Sequence, residues 1–539
     1  MDDVFDTIVV GASAAGLRCA CRLKRLKPRW RVGVVEASDF FSYAACGLPY
    51  FLSGDIQHMD ALRSTAWGSV RDSTFFERTK DLEMIAPARA VSIDAVGRRL
   101  EIERAGDRKW LRWKRLVIAT GARPIVPQGI STGGRTFCFH DSSDARVLHE
   151  LLSKGKLGTV VVAGAGAIGC ELAEAFTALW GAEVVLVEAR EWPLSGMVDA
   201  EIGAIVAAEL RRNDVKLLCR APLGRVEERK DGVFVEAGTE KIDADALVLA
   251  LGVRPNVDLA RRAGIEIGPC GGIKVDESMA ASRDGIYAVG DCVEVIDAVS
   301  GRAAYMPLGS LANRQGRCLA NVVAGREDSF GPVCGAAVVK VFDLQVASAG
   351  LTLERARAAG IETEKVWVNT HDHAHYYPGH EDVFVQLSWS ARDGRITGLQ
   401  AVGNTAVALI DKAALLIRQH ATIREGGRLI EHAYAPPYAQ ALDPLEVAVA
   451  VARNMEEDGL RGISPLEPLE GRRLLDVRSK GEAESGPLEG AEHVEFEAVR
   501  QAAASLDSDG EILVVCERGT RSAEAARILL ASGRRAVYL

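Results

Sequence analysis

No two cysteines in this sequence form a C-x-x-C pair, and no set of cysteines and histidines has zinc-site spacing, so neither a thioredoxin-type dithiol nor a structural metal is expected. No uninterrupted apolar run reaches the roughly 18 residues that a membrane-crossing helix needs. The acidic start Met1-Asp2-Asp3 leads into a short apolar run at Thr7–Val10, which reads as a strand and not as the apolar core of a secretion signal. Positive charge is not in excess: the net charge of -9 argues against nucleic acid as the main partner. The eleven cysteines are scattered and odd in number, a pattern that suits a reducing cytoplasm in which a few thiols react and most are small core residues. Aromatic residues make up only 6%, so any cluster of them stands out.

A chain of 539 residues is too long for one hydrophobic core and predicts three to five domains. Strand-like and helix-like segments alternate from the start, which reads as α/β with parallel sheets. One stretch occurs twice. DTIVVGASAAGLRCACRLKRL followed by RVGVVEA is matched by GTVVVAGAGAIGCELAEAFTAL followed by AEVVLVEA. Each copy has an apolar strand, a glycine turn, an amphipathic helix and a second strand ending in glutamate, so a duplicated βαβ unit is expected.

The second copy carries a complete G-x-G-x-x-G, Gly164-Ala165-Gly166-Ala167-Ile168-Gly169, with Glu188 closing the next strand. The glycines permit a tight turn, approach of a pyrophosphate to the backbone, and close helix–strand packing, while the acid accepts ribose hydroxyls. Gly252 is added to this site. The first copy, Gly11-Ala12-Ser13-Ala14-Ala15-Gly16 with Glu36, has serine at the middle glycine position, a side chain small enough to leave room. Two such sites predict two dinucleotides, of which a flavin and a nicotinamide are the usual pair.

Further along, Ala119-Thr120-Gly121, Leu251-Gly252-Val253-Arg254-Pro255-Asn256, Gly285-Ile286-Tyr287-Ala288-Val289-Gly290-Asp291 and Met306-Pro307-Leu308-Gly309 through Ala312 to Arg317 resemble the signatures of two-dinucleotide flavoprotein disulfide reductases. The resemblance covers residues 1–450. It implies FAD at the first unit, with Asp291 near the ribityl-phosphate region and a helix N-terminus facing the flavin ring, and NADH or NADPH at the second. Glu188 favours NADH by repelling a 2′-phosphate, and Arg190 leaves NADPH open.

Cys46 lies in Ser42-Tyr43-Ala44-Ala45-Cys46-Gly47-Leu48-Pro49-Tyr50, where Pro49 suits the first turn of a helix. A helix N-terminus there is expected to favour its thiolate. The segment is similar to the S-F-x-x-C-G-x-P-Y of the family's single-cysteine branch. Lipoamide, glutathione and mercuric reductases carry a second thiol five residues on, where this chain has Phe51. Oxidase and peroxidase members carry a histidine where this chain has Ala14. CoA-disulfide reductases fit better. In them, aromatic clusters of the partner subunit complete the site, which implies a homodimer and points to Tyr376 or Tyr377, and Tyr434 or Tyr438, as acids beside the sulfur. Of the CoA-contacting positions, Arg25 and Ser42 match, whereas Arg22 and Ala45 replace the Gln and Asn of those reductases.

A second reactive cysteine opens the loop Cys516-Glu517-Arg518-Gly519-Thr520-Arg521 between a strand and a helix. Such a loop, with a glycine and two arginines, is expected to cradle an anion and hold a thiolate able to carry sulfane sulfur. With Asp476-Val477-Arg478 and Gly486 to Ala491 it resembles a rhodanese, Pro487 standing where histidine is usual.

The expected organisation is a first FAD-binding part (1–150), a nicotinamide-binding domain (151–275), a second FAD-binding part (276–325), an α+β interface domain (326–454), a linker (455–465) and a rhodanese-like domain (466–539). The expected activity is NAD(P)H- and FAD-dependent reduction of CoA disulfide, CoA persulfide or polysulfide through Cys46, with coenzyme A or another small thiol or persulfide as partner. An NADH oxidase with a rhodanese appendage, and a redox-sensing or sulfur-carrier protein, are the alternatives.

Overall fold

The computed structural model describes residues 4–469, 471–506 and 510–539. Glu470 and 507–509, all inside the expected rhodanese-like domain, lie outside the described residues. The chain divides into two compact units, one of residues 1–194 and 209–335, the other of residues 195–208 and 336–539.

The first unit is built on two five-stranded sheets, each parallel throughout. One has the order Ile286–Ala288, Leu116–Ile118, Thr7–Val10, Val32–Val35, Glu83–Ile85. The other has Thr136–Phe137, Ala246–Leu249, Thr159–Ala163, Glu183–Val187, Lys216–Leu218. In both, the first strand of the βαβ unit is central and its second strand lies on the same side, so the repeat seen in the sequence is a repeat of topology. The central strands are nearly continuous β-branched runs because parallel strands are covered on both faces. Val160, Val161 and Val162 are all fully buried. At about 1.5–3 kcal/mol for each fully buried aliphatic side chain, three such residues far exceed any local strand propensity. Two antiparallel three-stranded ribbons, Arg89–Asp94 with Arg99–Arg104 and Asp107–Trp113, and Leu223–Arg229 with Gly232–Ala237 and Glu240–Ala244, repeat the correspondence, the first extended by the parallel strand Val4–Phe5.

The second unit contains a five-stranded antiparallel sheet, in the order Ala337–Val341, Leu344–Gly350, Ile396–Val402, Asp382–Ser390, Thr363–His371, with the helices Ala406–Arg418 and Pro444–Asp458. Segment 195–208 is tied to it by Asp199, whose Oδ2 accepts from Gln386 and Gln400, both at 2.6 Å, and whose Oδ1 accepts from the Leu353 N–H at 3.0 Å. A parallel sheet of Glu492–His493, Arg473–Asp476, Glu511–Val515 and Arg535–Tyr538 follows.

Residues 455–465, expected as a linker, are structured. The acidic run Glu456-Glu457-Asp458 is the last turn of helix Pro444–Asp458, not solvated chain, because Glu456 accepts from the indole N–H of buried Trp389 at 2.7 Å. Gly459, at φ +68°, ends the helix in the left-handed conformation that favours glycine. Leu460 enters the core of the C-terminal sheet, and Gly462 pairs in parallel with Tyr538, with Ile463 N–H donating to Tyr538 O at 2.9 Å.

Candidate functional site

The two glycine turns are matched bond for bond. After strand Thr7–Val10, Gly11 N–H donates to Val35 O; after strand Thr159–Ala163, Gly164 N–H donates to Val187 O, both at 2.8 Å. Gly11 and Gly164 have φ of +112° and +102°, and a Cβ at either would fall 2.1 or 2.5 Å from the carbonyl oxygen of Ala119 or Ala250. A Cβ at Gly16 or Gly169 would fall 2.0 or 1.8 Å from the carbonyl of its own turn glycine, so helix and strand meet only without a side chain there. The middle position differs. A Cβ at Gly166 meets nothing within 4 Å, and Ser13 caps helix Ala14–Leu26 from the same extended backbone. That is the physical reason serine stands in one copy and glycine in the other.

The acids also correspond. Glu36 accepts from Ala12 N–H at 2.7 Å and Ser38 N–H at 2.9 Å; Glu188 accepts from Ala165 and Arg190 N–H, both at 2.9 Å. Each carboxylate thus holds its glycine turn at the end of the neighbouring strand. Ala15 is buried against Gly316 of helix Gly309–Val323, which Leu308 caps, and Ala312 is buried in the same core. Gly290 N–H donates to Gln315 Oε1 at 2.7 Å, so that helix also fixes the turn before Asp291. Burial raises the Asp291 carboxyl above its ordinary value. Thr120 and Asn256 join the two dinucleotide-type folds, Thr120 Oγ1 donating to Asn256 O at 2.7 Å beside Gly121, while Gly252 at φ +89° and exposed Ile168 flank the second turn. Pro307 precedes the helix cap.

Cys46 lies in the single turn Ala45–Gly47 directly before helix Leu48–Leu52, with Pro49 in its first turn as the sequence implied. Phe51 is buried, its ring stacked on His149 at 4.7 Å, so the second-thiol position is packed with aromatic side chains. The expected thiolate-favouring environment is not found. Although residue 46 is exposed, loss of hydration around its sulfur pushes the thiol up, and the Glu171 and Asp291 carboxylates push it further. The physical reason is lost hydration first and the two negative charges second; the five-residue helix supplies too weak a dipole to offset them. Tyr50, one turn on from Cys46, donates to Glu171 at 3.1 Å, a partner the sequence did not reveal.

Ser42 adopts φ +59° and donates its N–H to Ala12 O at 3.1 Å, linking the cysteine segment to the first glycine turn. Ala45 is exposed beside it. Arg22 donates to Asn321 at 3.0 Å and is held below its ordinary value by lost hydration and by Arg317, Arg326, Arg25 and Arg18. Sequence reading found Arg22 and Arg25; Arg18, one turn earlier on the same helix, was readable from the 3.6 spacing, whereas Arg317 and Arg326 are joined to it only by the fold.

In the second unit two of the four tyrosines are hydrogen-bonded to each other. Tyr376 and Tyr434 share a hydrogen bond between their hydroxyls at 3.1 Å, and Tyr434 is raised above its ordinary value by that bond first and by lost hydration second. Tyr377 packs against His373 at 5.8 Å, and Tyr438 is 81% exposed.

Cys516 directly follows strand Glu511–Val515 and is buried. Its Sγ accepts from the N–H groups of Gly519 at 3.1 Å and Ser522 at 3.3 Å. Gly519 at φ +88° caps helix Thr520–Ala531. The arginines of the loop do not form this cradle. Arg521 is paired through two 2.7 Å bonds with Glu482, itself held well below the usual carboxylate range by that pair, and Arg518 donates to His371 Nε2 at 2.8 Å and pairs with Asp382 at 3.1 Å. Asp476 and Arg478 are a bidentate pair that also holds Gly486 O at 2.7 Å. Glu517 and Thr520 are exposed. The cradle is therefore two backbone amides, of Gly519 and Ser522, while the Ser522 hydroxyl, 3.3 Å from the sulfur, accepts from the thiol. Ser522, directly after the loop, was legible as a candidate; Glu482, an unremarkable helix acid, was not.

Among the described residues no group of three or more His, Cys, Asp or Glu could hold a metal ion, and no helix is long and apolar enough to cross a membrane.

Two matched phosphate-type cradles beside one exposed cysteine define a two-dinucleotide redox enzyme. The chain belongs to the pyridine nucleotide-disulphide oxidoreductases, whose family model matches residues 5–313, followed by that family's dimerisation domain at 336–445 and a rhodanese-like domain at 464–539. It is 32% identical over 450 residues to an NAD(P)H sulfur oxidoreductase (CoA-dependent) of Pyrococcus abyssi and, over the same length and at the same identity, to an NAD(P)H coenzyme A polysulfide/persulfide reductase of Pyrococcus horikoshii, covering 83% of this chain and 98% of each relative. Among solved structures it resembles an NAD-dependent persulfide reductase from A. fulgidus (35% identity, TM-score 0.95, 99% of this chain and 98% of that one) and reduced Bacillus anthracis CoADR-RHD (30%, 0.92, 99% and 96%). FAD and a nicotinamide dinucleotide are the cofactors of this family, and both glycine turns fit a pyrophosphate: Ser13 is exposed, a Cβ at residue 166 would meet nothing within 4 Å, and residues 16 and 169 leave no room for a side chain.

Proposed function

We propose that the chain reduces CoA disulfide, CoA persulfide or polysulfide with NAD(P)H, using Cys46 as the one redox thiol and the Cys516 domain to handle sulfane sulfur. The observation that carries this reading is Phe51 packed on His149: with no second thiol there, Cys46 must exchange with a thiol that arrives from solution. The names of the Pyrococcus relatives and of the two solved structures support it over an NADH oxidase.

In this reading Gly11, Ser13, Ala14, Ala15, Gly16 and Glu36 hold FAD, with Ala119, Thr120, Gly121, Gly290, Asp291, Pro307, Leu308 and Ala312 around its ring and ribityl chain. Gly164, Gly166, Ala167, Ile168, Gly169, Glu188 and Gly252 hold the nicotinamide dinucleotide. FAD supplies the two-electron carrier between nicotinamide and sulfur. Cys46 as thiolate attacks the disulfide or persulfide, forming a mixed disulfide or Cys-persulfide and releasing one thiol. Two electrons and a proton from NAD(P)H, with one further proton, then return Cys46 and release the second thiol or hydrogen sulfide. Tyr376 and Tyr434, supplied across a homodimer interface, protonate the leaving sulfur. Arg22, Arg25 and Ser42, with Arg18, Arg317 and Arg326 nearby, make a positive surface for the phosphates of CoA, while Ala45 leaves the approach to Cys46 open.

The test is stopped-flow reduction with the Cys46→Ser variant and CoA persulfide, polysulfide and CoA disulfide. Loss of turnover with each is expected; full activity with all three would sink the mechanism.

A further inference from the structure

The Cys516 loop opens onto a cavity of about 420 Å³, lined by Cys516, Arg518 and Gly519 and by the strand Thr363–His371 as far as Asn369. Its volume lies in the range of small-molecule sites. A sulfur donor seated here turns its outer sulfur to Cys516, and any negative charge at its far end needs a cation. Arg518, two residues on from the sulfur, lines the same space, whereas Arg521 is taken by Glu482.

Arg518 is itself engaged. Its Nη1 donates to His371 Nε2 at 2.8 Å and lies 3.1 Å from Asp382 Oδ1. His371 and Asp382 are the directly opposed pair that ends the ladder between strands Thr363–His371 and Asp382–Ser390, so they share one face of the sheet. The two strands thereby present a ring nitrogen and a carboxylate to one guanidinium nitrogen. Asp382 Oδ1 also lies 3.3 Å from His371 Nδ1, which suits the tautomer with Nε2 as acceptor. Lost hydration first, and the Arg518 charge second, hold His371 below its ordinary value, in keeping with a neutral ring that accepts. Neither His371 nor Asp382 is part of the cavity lining, so the bonds that occupy Arg518 are made outside it. The other cations do not replace the lost positive charge. Lys365 is paired with Glu201 at 2.5 Å, and Arg461 shares the lining with Glu364 and Glu517.

We propose that Asp382 and His371, which lie outside the rhodanese-like domain, determine the charge of the sulfur donors that Cys516 accepts: by holding Arg518 they disfavour a dianionic donor against one with a single charge or none. The proposal rests on Cys516 being a sulfur carrier. A dianion is drawn to a free guanidinium and much less to one already neutralised by a carboxylate. The chemistry at sulfur is the same for either class of donor. The Cys516 thiolate attacks the outer sulfur of X–S⁻, where X is a sulfonate or a sulfonyl group. A bond forms between the Cys516 sulfur and that outer sulfur, and the bond from the outer sulfur to X breaks. Sulfite or a sulfinate leaves with the electron pair, the charge stays on the new persulfide, and a thiol-type acceptor later removes the transferred sulfur.

The experiment uses the full-length holoenzyme and two donors of similar shape, thiosulfate, a dianion, and methanethiosulfonate, a monoanion, with cyanide as acceptor and thiocyanate as the readout. Asp382→Asn keeps the shape of the side chain and removes its charge. The expected result is a rise in kcat/KM of about tenfold for thiosulfate and less than about threefold for methanethiosulfonate, the rise shrinking as salt is added. A selective gain cannot come from a damaged fold. His371→Gln, which removes the other partner, should shift the preference the same way by a smaller factor. The gain must also need Arg518: in an Arg518→Gln background, Asp382→Asn should change thiosulfate transfer by less than about twofold. Equal changes for both donors, no gain with either substitution, or the same gain without Arg518 would each overturn the proposal. Cys516→Ser separates the two levels: if it transfers sulfur at the parental rate, the carrier reading fails, whatever holds Arg518.

Discussion

Phe51 lies with its ring stacked on the imidazole of His149, 4.7 Å between centroids, at the position where dithiol relatives carry their second redox cysteine. His149 in turn meets the edge of Trp180 at 5.6 Å, and the Trp180 indole donates to Leu52 O at 2.7 Å. The cysteine helix is thus buttressed by aromatic packing where others have sulfur. Replacing Phe51 with Ala removes a buried ring and is expected to cost about 3–5 kcal/mol. A fall in the apparent Tm by several degrees, with one redox-active thiol still counted at Cys46, is the expected outcome; an unchanged Tm would show that the ring does not brace the helix.

The carboxylates facing Cys46 make a second prediction. Lost hydration raises the thiol, with Glu171 and then Asp291 adding to it. A raised thiol pKa means less thiolate at neutral pH, with the reactive form gained only as pH climbs through the raised value. Glu171→Gln removes one opposing charge, so the profile should move to lower pH and iodoacetamide should alkylate Cys46 severalfold faster at pH 7.5. A slower rate would mean that Glu171 works on the sulfur through Tyr50 rather than through its charge.

The fold was legible where one physical requirement dominated. Gly11, Gly16, Gly164 and Gly169 sit where a Cβ would strike a carbonyl, and runs such as Val160–Val162 can be satisfied only inside a parallel sheet. Ser13 was readable for the same reason in reverse, since it is exposed and its counterpart Gly166 has open space around it. What local sequence did not carry was set by distant partners. Glu456 looks like part of an acidic linker until Trp389 is seen to bond it. The two loop arginines look like an anion cradle until Glu482 and His371 are seen to take them, leaving Gly519 and Ser522 N–H on the sulfur. The pairing of the Tyr376 and Tyr434 hydroxyls is a contact across 58 residues, which no local pattern shows.

The cradle at Cys516 rests on the Ser522 amide and not on its hydroxyl. The Ser522 N–H donates to the sulfur at 3.3 Å, whereas its hydroxyl accepts from the Cys516 thiol at 3.3 Å and gives its own proton to Leu539 O at 2.6 Å. Ser522→Ala keeps both amide donors and removes only an acceptor that favours the protonated thiol, so the thiolate is not destabilised. Sulfur transfer should therefore fall by less than about twofold, with CoA-disulfide reduction at Cys46 unchanged; a tenfold loss confined to sulfur transfer would show that the hydroxyl turns its proton to the sulfur.

The tyrosine pair yields a prediction in the pH dependence. Tyr434 is raised by its bond to Tyr376, so it keeps its proton, and its capacity to act as an acid, to higher pH than an ordinary phenol. Activity that needs this proton is present below the raised value and is lost as pH climbs through it. Tyr376→Phe deletes the bond, leaving Tyr434 closer to the ordinary value, so the alkaline limb of kcat should move to lower pH, along with a loss of about tenfold or more in kcat at neutral pH. Tyr434→Phe should give a similar loss in kcat. Tyr377→Phe and Tyr438→Phe, which lie outside the hydroxyl pair, should change neither the limb nor kcat by more than about twofold. If Tyr438→Phe rather than Tyr434→Phe abolished turnover, the second aromatic cluster would act through its exposed tyrosine, and the bonded pair would be a packing contact.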